Sequence, residues 1–190
     1  QLRGDESDQD AQFVRELADA LELPCTISSV MTDLPKEGEN LEQAARHARL
    51  HFFRHVQQEF DLQRIALGHN RSDQAETVLY RLLRGAGTAG LSGIRPTTTD
   101  GRIRPLIRSS RADIIEWLTE NAIRWREDRT NADERFDRNR IRHSILPVLA
   151  EFSPAIPNIL AATAEVARAE EEYWADEVAR AFGEIAEKKL

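Results

Sequence analysis

The stretch Leu67-Gly68-His69-Asn70-Arg71-Ser72-Asp73-Gln74-Ala75-Glu76-Thr77 concentrates groups that could do chemistry. Asp73 and Glu76 stand three residues apart, so on a helix both carboxylates present to one side. Such a pair could hold Mg²⁺ through oxygen or accept hydrogen bonds from a substrate ammonium. His69 falls at a strand exit and could hydrogen-bond a phosphate or act as an acid. A plainer reading stays open. Acids in the first turn of a helix also complement its dipole, and a histidine at a strand end often only satisfies backbone.

Arginines form two further constellations. In Arg138-Asn139-Arg140-Ile141-Arg142-His143, Arg138 and Arg142 are four apart and share a helix face, with Arg140 elsewhere. Their guanidiniums could grip phosphate, nucleotide or carboxylate, or lie on a solvated face paired with Asp133, Glu134 and Asp137. Arg46 and Arg49 make a similar pair three apart. Gly85-Ala86-Gly87-Thr88-Ala89-Gly90 matches G-x-G-x-x-G, but it follows a helical pattern rather than a strand. That context suits a helix stop and turn rather than a dinucleotide cradle. No Walker P-loop occurs.

The elements that must position these groups alternate. Asp8 to Glu22 reads as an amphipathic helix, with Ser7 and Asp10 resembling a capping box. Cys25 to Val30 is a strand candidate, and a polar loop runs from Thr32 to Asn40. Leu41 to Phe60 reads as a second helix and Arg64 to Gly68 as a buried strand. Ser72 caps a third helix to about Arg84, with Val78, Leu79, Leu82 and Leu83 as its apolar side. Alternating helices and buried strands predict an α/β fold, an open parallel sheet with helices on both faces. In such sheets ligands bind outside the carboxyl ends of strands, where a helix N-terminus offers unpaired N–H groups; Gly68 to Thr77 falls there. Thr97 to Gly101 is a turn signal. A helix from about Ala112 to Ala122 started by Ser110 or Ser109, an irregular segment from Trp125 to Arg138, a helix from Arg140 to Leu149 and a long final helix to about Glu187 complete the chain.

The 190 residues are 41% hydrophobic and 31% charged, enough for a sizeable core without staples. No run approaches a membrane span, and no signal peptide is visible at Gln1. One cysteine, Cys25, excludes an internal disulfide framework and a cysteine-ligated cluster within these residues. A reducing, cytoplasmic setting is expected. The net charge of −7 hides segregation: 11 arginines face 8 acids between Arg102 and Arg142, while 8 acids face 4 bases from Glu165 onward. A local arginine cluster can grip phosphates even on an acidic chain.

Taken together, these residues resemble the catalytic region of the bacterial tRNA(Ile)-lysidine synthetases, of the PP-loop ATP-pyrophosphatase superfamily. Three blocks carry the resemblance: Leu2-Arg3-Gly4; Gly68-His69 through Asp73-Gln74-Ala75-Glu76-Thr77 to Arg81-Leu82-Leu83-Arg84-Gly85; and Arg104-Pro105-Leu106 with Trp125, Glu127-Asp128, Asn131-Ala132-Asp133 and Arg138 to His143. It spans about residues 2–150.

The resemblance implies an adenine nucleotide alpha hydrolase-like fold. Residues 1–95 would be a partial PP-loop α/β domain, 96–150 a helical segment facing substrate or tRNA, and 151–190 a long helix or linker. It implies ligation of lysine to C2 of the wobble cytidine of CAU-anticodon tRNA(Ile), by ATP-dependent adenylation of the base and then displacement of AMP. Asp73 and Glu76 would hold the ammonium groups of L-lysine, with a Mg²⁺ role open to them, and His69 would lie near the nucleotide phosphates. Arg49, Arg140 and Arg142 would surround the adenylate and substrate, with Arg46, Arg81 and Arg84 as further nucleotide or tRNA contacts. ATP and Mg²⁺ are the implied cofactors; no membrane partner is expected, and a homodimer is compatible. The superfamily's Ser-Gly-Gly-Xaa-Asp-Ser loop is absent from these residues. The chain is therefore expected to be a catalytic region lacking its first strand and pyrophosphate loop, and inactive alone. A thiolating relative of the superfamily needs several cysteines, which Cys25 does not supply. A noncatalytic tRNA-binding fragment is the alternative of another class.

Overall fold

A computed structural model describes residues 5–28, 41–126 and 137–187. The Leu2-Arg3-Gly4 block, the 32–40 loop and most of the irregular segment, with Glu127-Asp128 and Asn131-Ala132-Asp133, lie outside the described residues. The chain divides into two compact units, Gln1–Ile65 and Ala66–Leu190.

The first unit carries α1 (Asp5–Ala20) and α2 (Leu41–Glu59). Helix α1 begins ahead of the expected Asp8, so Ser7 and Asp10 lie inside it rather than at its start. Its end shows how these helices stop. Glu22 takes φ 54°, and the Leu23 amide reaches back to the Ala18 carbonyl at 2.9 Å. Asp61 (φ 51°) does the same after α2, with the Leu62 amide on the Gln57 carbonyl. This left-handed closure usually belongs to glycine. Of the strand expected from Cys25 to Val30, the described part is not formed: residues 23–28 are irregular and exposed, and 29–30 lie outside the described residues. A short β-branched run becomes a strand only beside a neighbour that completes its backbone hydrogen bonds.

Among the described residues there is one small sheet. β1 (Ile65–Ala66), shorter than the predicted Arg64–Gly68 and only half-buried at Ile65, joins β2 (Arg102–Ile103) in a small parallel sheet. The Leu67 amide donates to the Ile103 carbonyl at 2.9 Å. The expected turn at Thr97–Gly101 is present: Thr97 bridges Ile103, and Gly101 has φ 83°. There Thr98 and Arg102 hydrogen-bond the Asp100 carboxylate and hold its pKa down to about 2, Arg102 contributing most.

The core of the second unit lies between α3 (Arg71–Leu83) and α8 (Ile156–Glu187). Ala75, Val78 and Leu79 of α3 meet Leu160 and Ala164 of α8, with Ile141 joining them. Ala75 and Ala164 are fully buried, so the two backbones approach closely over small side chains. The predicted apolar side of α3 ran on through Leu82 and Leu83, but these are 50% and 61% exposed. The apolar packing of α3 ends at Tyr80. Likewise α8 is buried through Ala167, and its later apolar residues, among them Trp174 and Phe182, are exposed.

The glycine-rich stretch is organised by two arginines. Short helix α4 (Thr88–Leu91) leads into it. Arg81 of α3 donates to the Gly90 and Gly93 carbonyls at 2.8 and 3.0 Å. Arg168 of α8 donates to those of Ser92 and Ile94 at 3.2 and 3.3 Å. Arg81 thus has a structural task within the chain. Arg81→Met should cost about 1–3 kcal/mol, the effect of leaving buried carbonyls unpaired, read as a lower denaturant midpoint.

Helix α5 (Arg111–Glu120) starts at Ser110, as expected, and ends at Ala122 with φ 53°. The single helix expected from Arg140 to Leu149 is instead three pieces: α6 (Asp137–Arg140), a π-helical turn (Ile141–Ile145) and α7 (Leu146–Phe152), with Pro147 in the first turn of α7. Proline has no N–H to donate back into the preceding turn, which accounts for the wider turn ahead of it.

Candidate functional site

The first turn of α3 is built by Asn70, not by Ser72. The Asn70 side chain accepts the Ser72 and Asp73 amides at 2.9 and 3.2 Å, and the Asp73 carboxylate accepts the Asn70 amide at 2.9 Å. This reciprocal box fixes Asp73 in rotation. Asn outranks Ser as a cap only slightly; the deciding signal was the Asn-x-x-Asp spacing, repeated as Ser110-x-x-Asp113 at α5. Arg71 ties the two helix starts together, its guanidinium 3.0 Å from Asp113 and its amide on the Ser109 carbonyl at 2.8 Å. The Ser110 amide and hydroxyl lower the Asp113 pKa.

One turn on, Glu76 is only 3% exposed. Its carboxylate is met by Arg142 from the π-helical turn. Nε lies 2.6 Å from one carboxylate oxygen and Nη2 3.0 Å from the other, a bidentate fork. The same Nη2 lies 3.4 Å from Asp73 Oδ1. The extra residue of the π turn sets Arg142 over both acids; such turns often mark functional sites. Burial raises the Glu76 pKa above the ordinary glutamate value and outweighs Arg142, which pulls it down. The hydrogen bond to Glu76 raises the pKa of Arg142. Together Asn70, Ser72, Asp73, Glu76, Arg111, Arg142, Leu146 and Pro157 line a cavity of about 380 Å³, within the size range of small-molecule sites.

Asp73, Glu76 and Arg142 are thus brought together. His69, half-buried, immediately precedes the Asn70 cap. Arg140 is exposed at the end of α6. Arg84 is exposed and lies over the Tyr80 ring, bonded to its hydroxyl at 2.5 Å. Arg46 and Arg49 belong to α2 in the other unit. Among the described residues no three His, Cys, Asp or Glu side chains converge as metal ligands. Arg142 already engages both Glu76 oxygens and reaches Asp73.

Sequence reasoning missed Gln74 and Arg111. Gln74 is buried between the two carboxylates in sequence, and its Oε1 accepts the Ile94 amide at 2.6 Å.

A PP-loop domain is what this fold and site define: that family matches residues 1–149, and the chain belongs to it. The relatives it resembles are more specific. It is 55% identical over 184 residues to the tRNA(Ile)-lysidine synthase of Solibacter usitatus, covering 96% of this chain and 41% of that protein. It is 43% identical to the Symbiobacterium thermophilum enzyme of the same name, over 92% of this chain and 37% of that protein. The Geobacter sulfurreducens enzyme of that name is 40% identical, over 87% and 36%. The chain therefore spans about two fifths of the length of the curated relatives it matches.

Proposed function

We propose that these residues form the lysine-handling part of a tRNA(Ile)-lysidine synthetase, a ligase acting with ATP and Mg²⁺ on CAU-anticodon tRNA(Ile). In this reading the C2 oxygen of the wobble cytidine attacks the α-phosphorus of ATP and pyrophosphate leaves. The ε-amine of L-lysine then attacks C2, forming the C–N bond as the C–O bond to AMP breaks. One observation carries the reading: two carboxylates, fixed by a cap and a guanidinium, open on a cavity of small-molecule size, in a chain similar to enzymes of that name.

Asp73 and Glu76 receive the lysine ammonium groups. Arg142 opposes the effect of burial on Glu76 and so favours its ionised form, since a neutral acid would donate where an acceptor is needed. In this reading His69 and Arg140 serve the nucleotide phosphates, Arg84 is a further nucleotide or tRNA contact, and Arg46 and Arg49 of α2 are assigned to nucleotide or substrate on the resemblance alone. Mg²⁺ enters with the phosphates of ATP. The finer layout, an open sheet with helices on both faces divided at 95 and 150, belongs to the same proposal. So do a cytoplasmic setting, a homodimer, and inactivity of these residues without a pyrophosphate loop.

The test is a graft. These residues replace the matching stretch of the Solibacter usitatus enzyme, and ATP-dependent incorporation of labelled lysine into the tRNA is measured. The graft should be active. Asp73→Asn within it should lower activity about tenfold to a hundredfold, the effect of losing one charge-assisted hydrogen bond of about 1.5–3 kcal/mol, chiefly through the KM for lysine. Activity unchanged by Asp73→Asn would remove the assignment.

A further inference from the structure

A second cavity of about 380 Å³ flanks the first turn of α3 and shares no lining residue with the first. Arg71 and Gln74 line it from α3, Arg108 from the segment before α5, and Asn158, Glu165 and Arg168 from α8. Ala161 and Ala162 leave its α8 wall open between Asn158 and Glu165. Three guanidiniums thus face one carboxylate.

How those charges are balanced matters. Arg71 shares its charge with Asp113, outside the cavity. Arg108 Nε lies 3.1 Å from Glu165, but the two side chains are 82% and 50% exposed, and such a pair is worth little. Arg168 reaches its two carbonyls through Nη2 alone. Its Nε is buried and has no hydrogen-bond partner, an arrangement that calls for an explanation. Burial pulls the Arg168 pKa below the usual arginine value, and the Glu165 and Glu172 carboxylates oppose it more strongly than the Arg95 and Arg108 charges add to it.

We propose that this second cavity is a phosphate-binding site, in which Arg108 exchanges the Glu165 carboxylate for the phosphate group of an RNA strand or a mononucleotide, with Arg71 and Arg168 as the remaining cationic wall. Arginine suits the task because its planar fork matches phosphate oxygens. The weak, exposed Arg108–Glu165 pair holds the guanidinium in place while leaving it easy to exchange. The proposal uses none of the lysine-handling residues and stands or falls apart from that assignment.

The two members of the pair give opposite expectations, which a purely structural ion pair would not. The chain is titrated at low ionic strength with a fluorescently labelled single-stranded RNA, with ATP and with inorganic phosphate. Arg108→Ala should weaken binding, and Glu165→Gln, which removes the competing carboxylate, should tighten it, each by about 1.4-fold to fivefold, as exposed pairs are worth about 0.2–1 kcal/mol. For RNA, Arg108→Ala should also lower the salt dependence by about 0.7 in the log–log slope, one phosphate contact on a single strand. A response with RNA alone assigns the site to a strand's backbone; an equal response with ATP assigns it to a mononucleotide. Thermal melting serves as the folding control. Failure of all three probes to bind, or substitutions that shift affinity in the same direction, would overturn the proposal.

Discussion

Arg142→Met should lower the stability of the second unit by about 2–4 kcal/mol, and Glu76→Gln in the same chain should restore most of the loss. Glu76 is 3% exposed and its charge is answered by the Arg142 fork. Removing one partner of a buried pair leaves the other uncompensated, at about 3–5 kcal/mol when both are dry. Arg142 is 28% exposed, so water reaches part of the site and the lower range applies. Gln keeps the shape of Glu76 without its charge, which is why the double variant recovers.

The loss should also depend on pH in a defined direction. The Glu76 pKa is raised above the ordinary 4.5, so its protonated form favours the fold. That contribution is fully present below the unfolded value and is lost as pH rises through the folded one. Without Arg142 the folded value climbs further. The deficit of Arg142→Met should therefore be smallest in acid and widen toward neutral pH. Urea unfolding of the wild type and both variants across that range is the measurement. A deficit that is the same at all pH values would mean that the guanidinium acts through packing alone.

The parts of this protein that could be read from its residues are those set by local chemistry. Helix α2 appears almost as predicted, because its apolar spacing and its boundaries are both written locally. The start of α5 at Ser110 is equally local. The strand at Cys25 fails for the opposite reason: its state depends on neighbours, not on its own β-branched residues. Helix α3 shows the two kinds of information side by side. Its position and its acids were legible, yet its buried face was misplaced by one turn, because Leu82 and Leu83 extend past the contact with α8. The convergence of Asp73 and Glu76 follows from helical spacing. That Arg142 closes on both, from sixty-six residues beyond Glu76, depends on a π turn that no periodicity announced. Arg138 and Arg142 looked like a phosphate-gripping pair, but only Arg142 enters the carboxylate cluster, while Arg138 is exposed and acts on Glu76 by charge alone.

The glycine-rich stretch makes the sharpest structural claim. Gly93→Ala should cost about 2–4 kcal/mol, although it adds one methyl group. Gly93 has φ 64°, a region that costs a residue with a Cβ about 1–2 kcal/mol. The added Cβ would stand 2.7 Å from Gln74 Oε1 and 2.8 Å from its Nε2, inside any tolerated contact. Gln74 would have to swing away, giving up the 2.6 Å bond from the Ile94 amide and leaving that amide unpaired, at about 1–3 kcal/mol. Gln74 sits between Asp73 and Ala75 in the first turn of α3, so the displacement lands beside the carboxylate pair. The variant should therefore lose lysine-dependent activity in the graft as well as stability. Gly93→Ala combined with Gln74→Ala separates the two causes. Removing the Gln74 side chain relieves the clash but not the left-handed backbone, so the further loss from adding Gly93→Ala to Gln74→Ala should fall to about 1–2 kcal/mol. If Gly93→Ala costs as much in the Gln74→Ala background as in the wild type, the contact with Gln74 is not what holds this position to glycine.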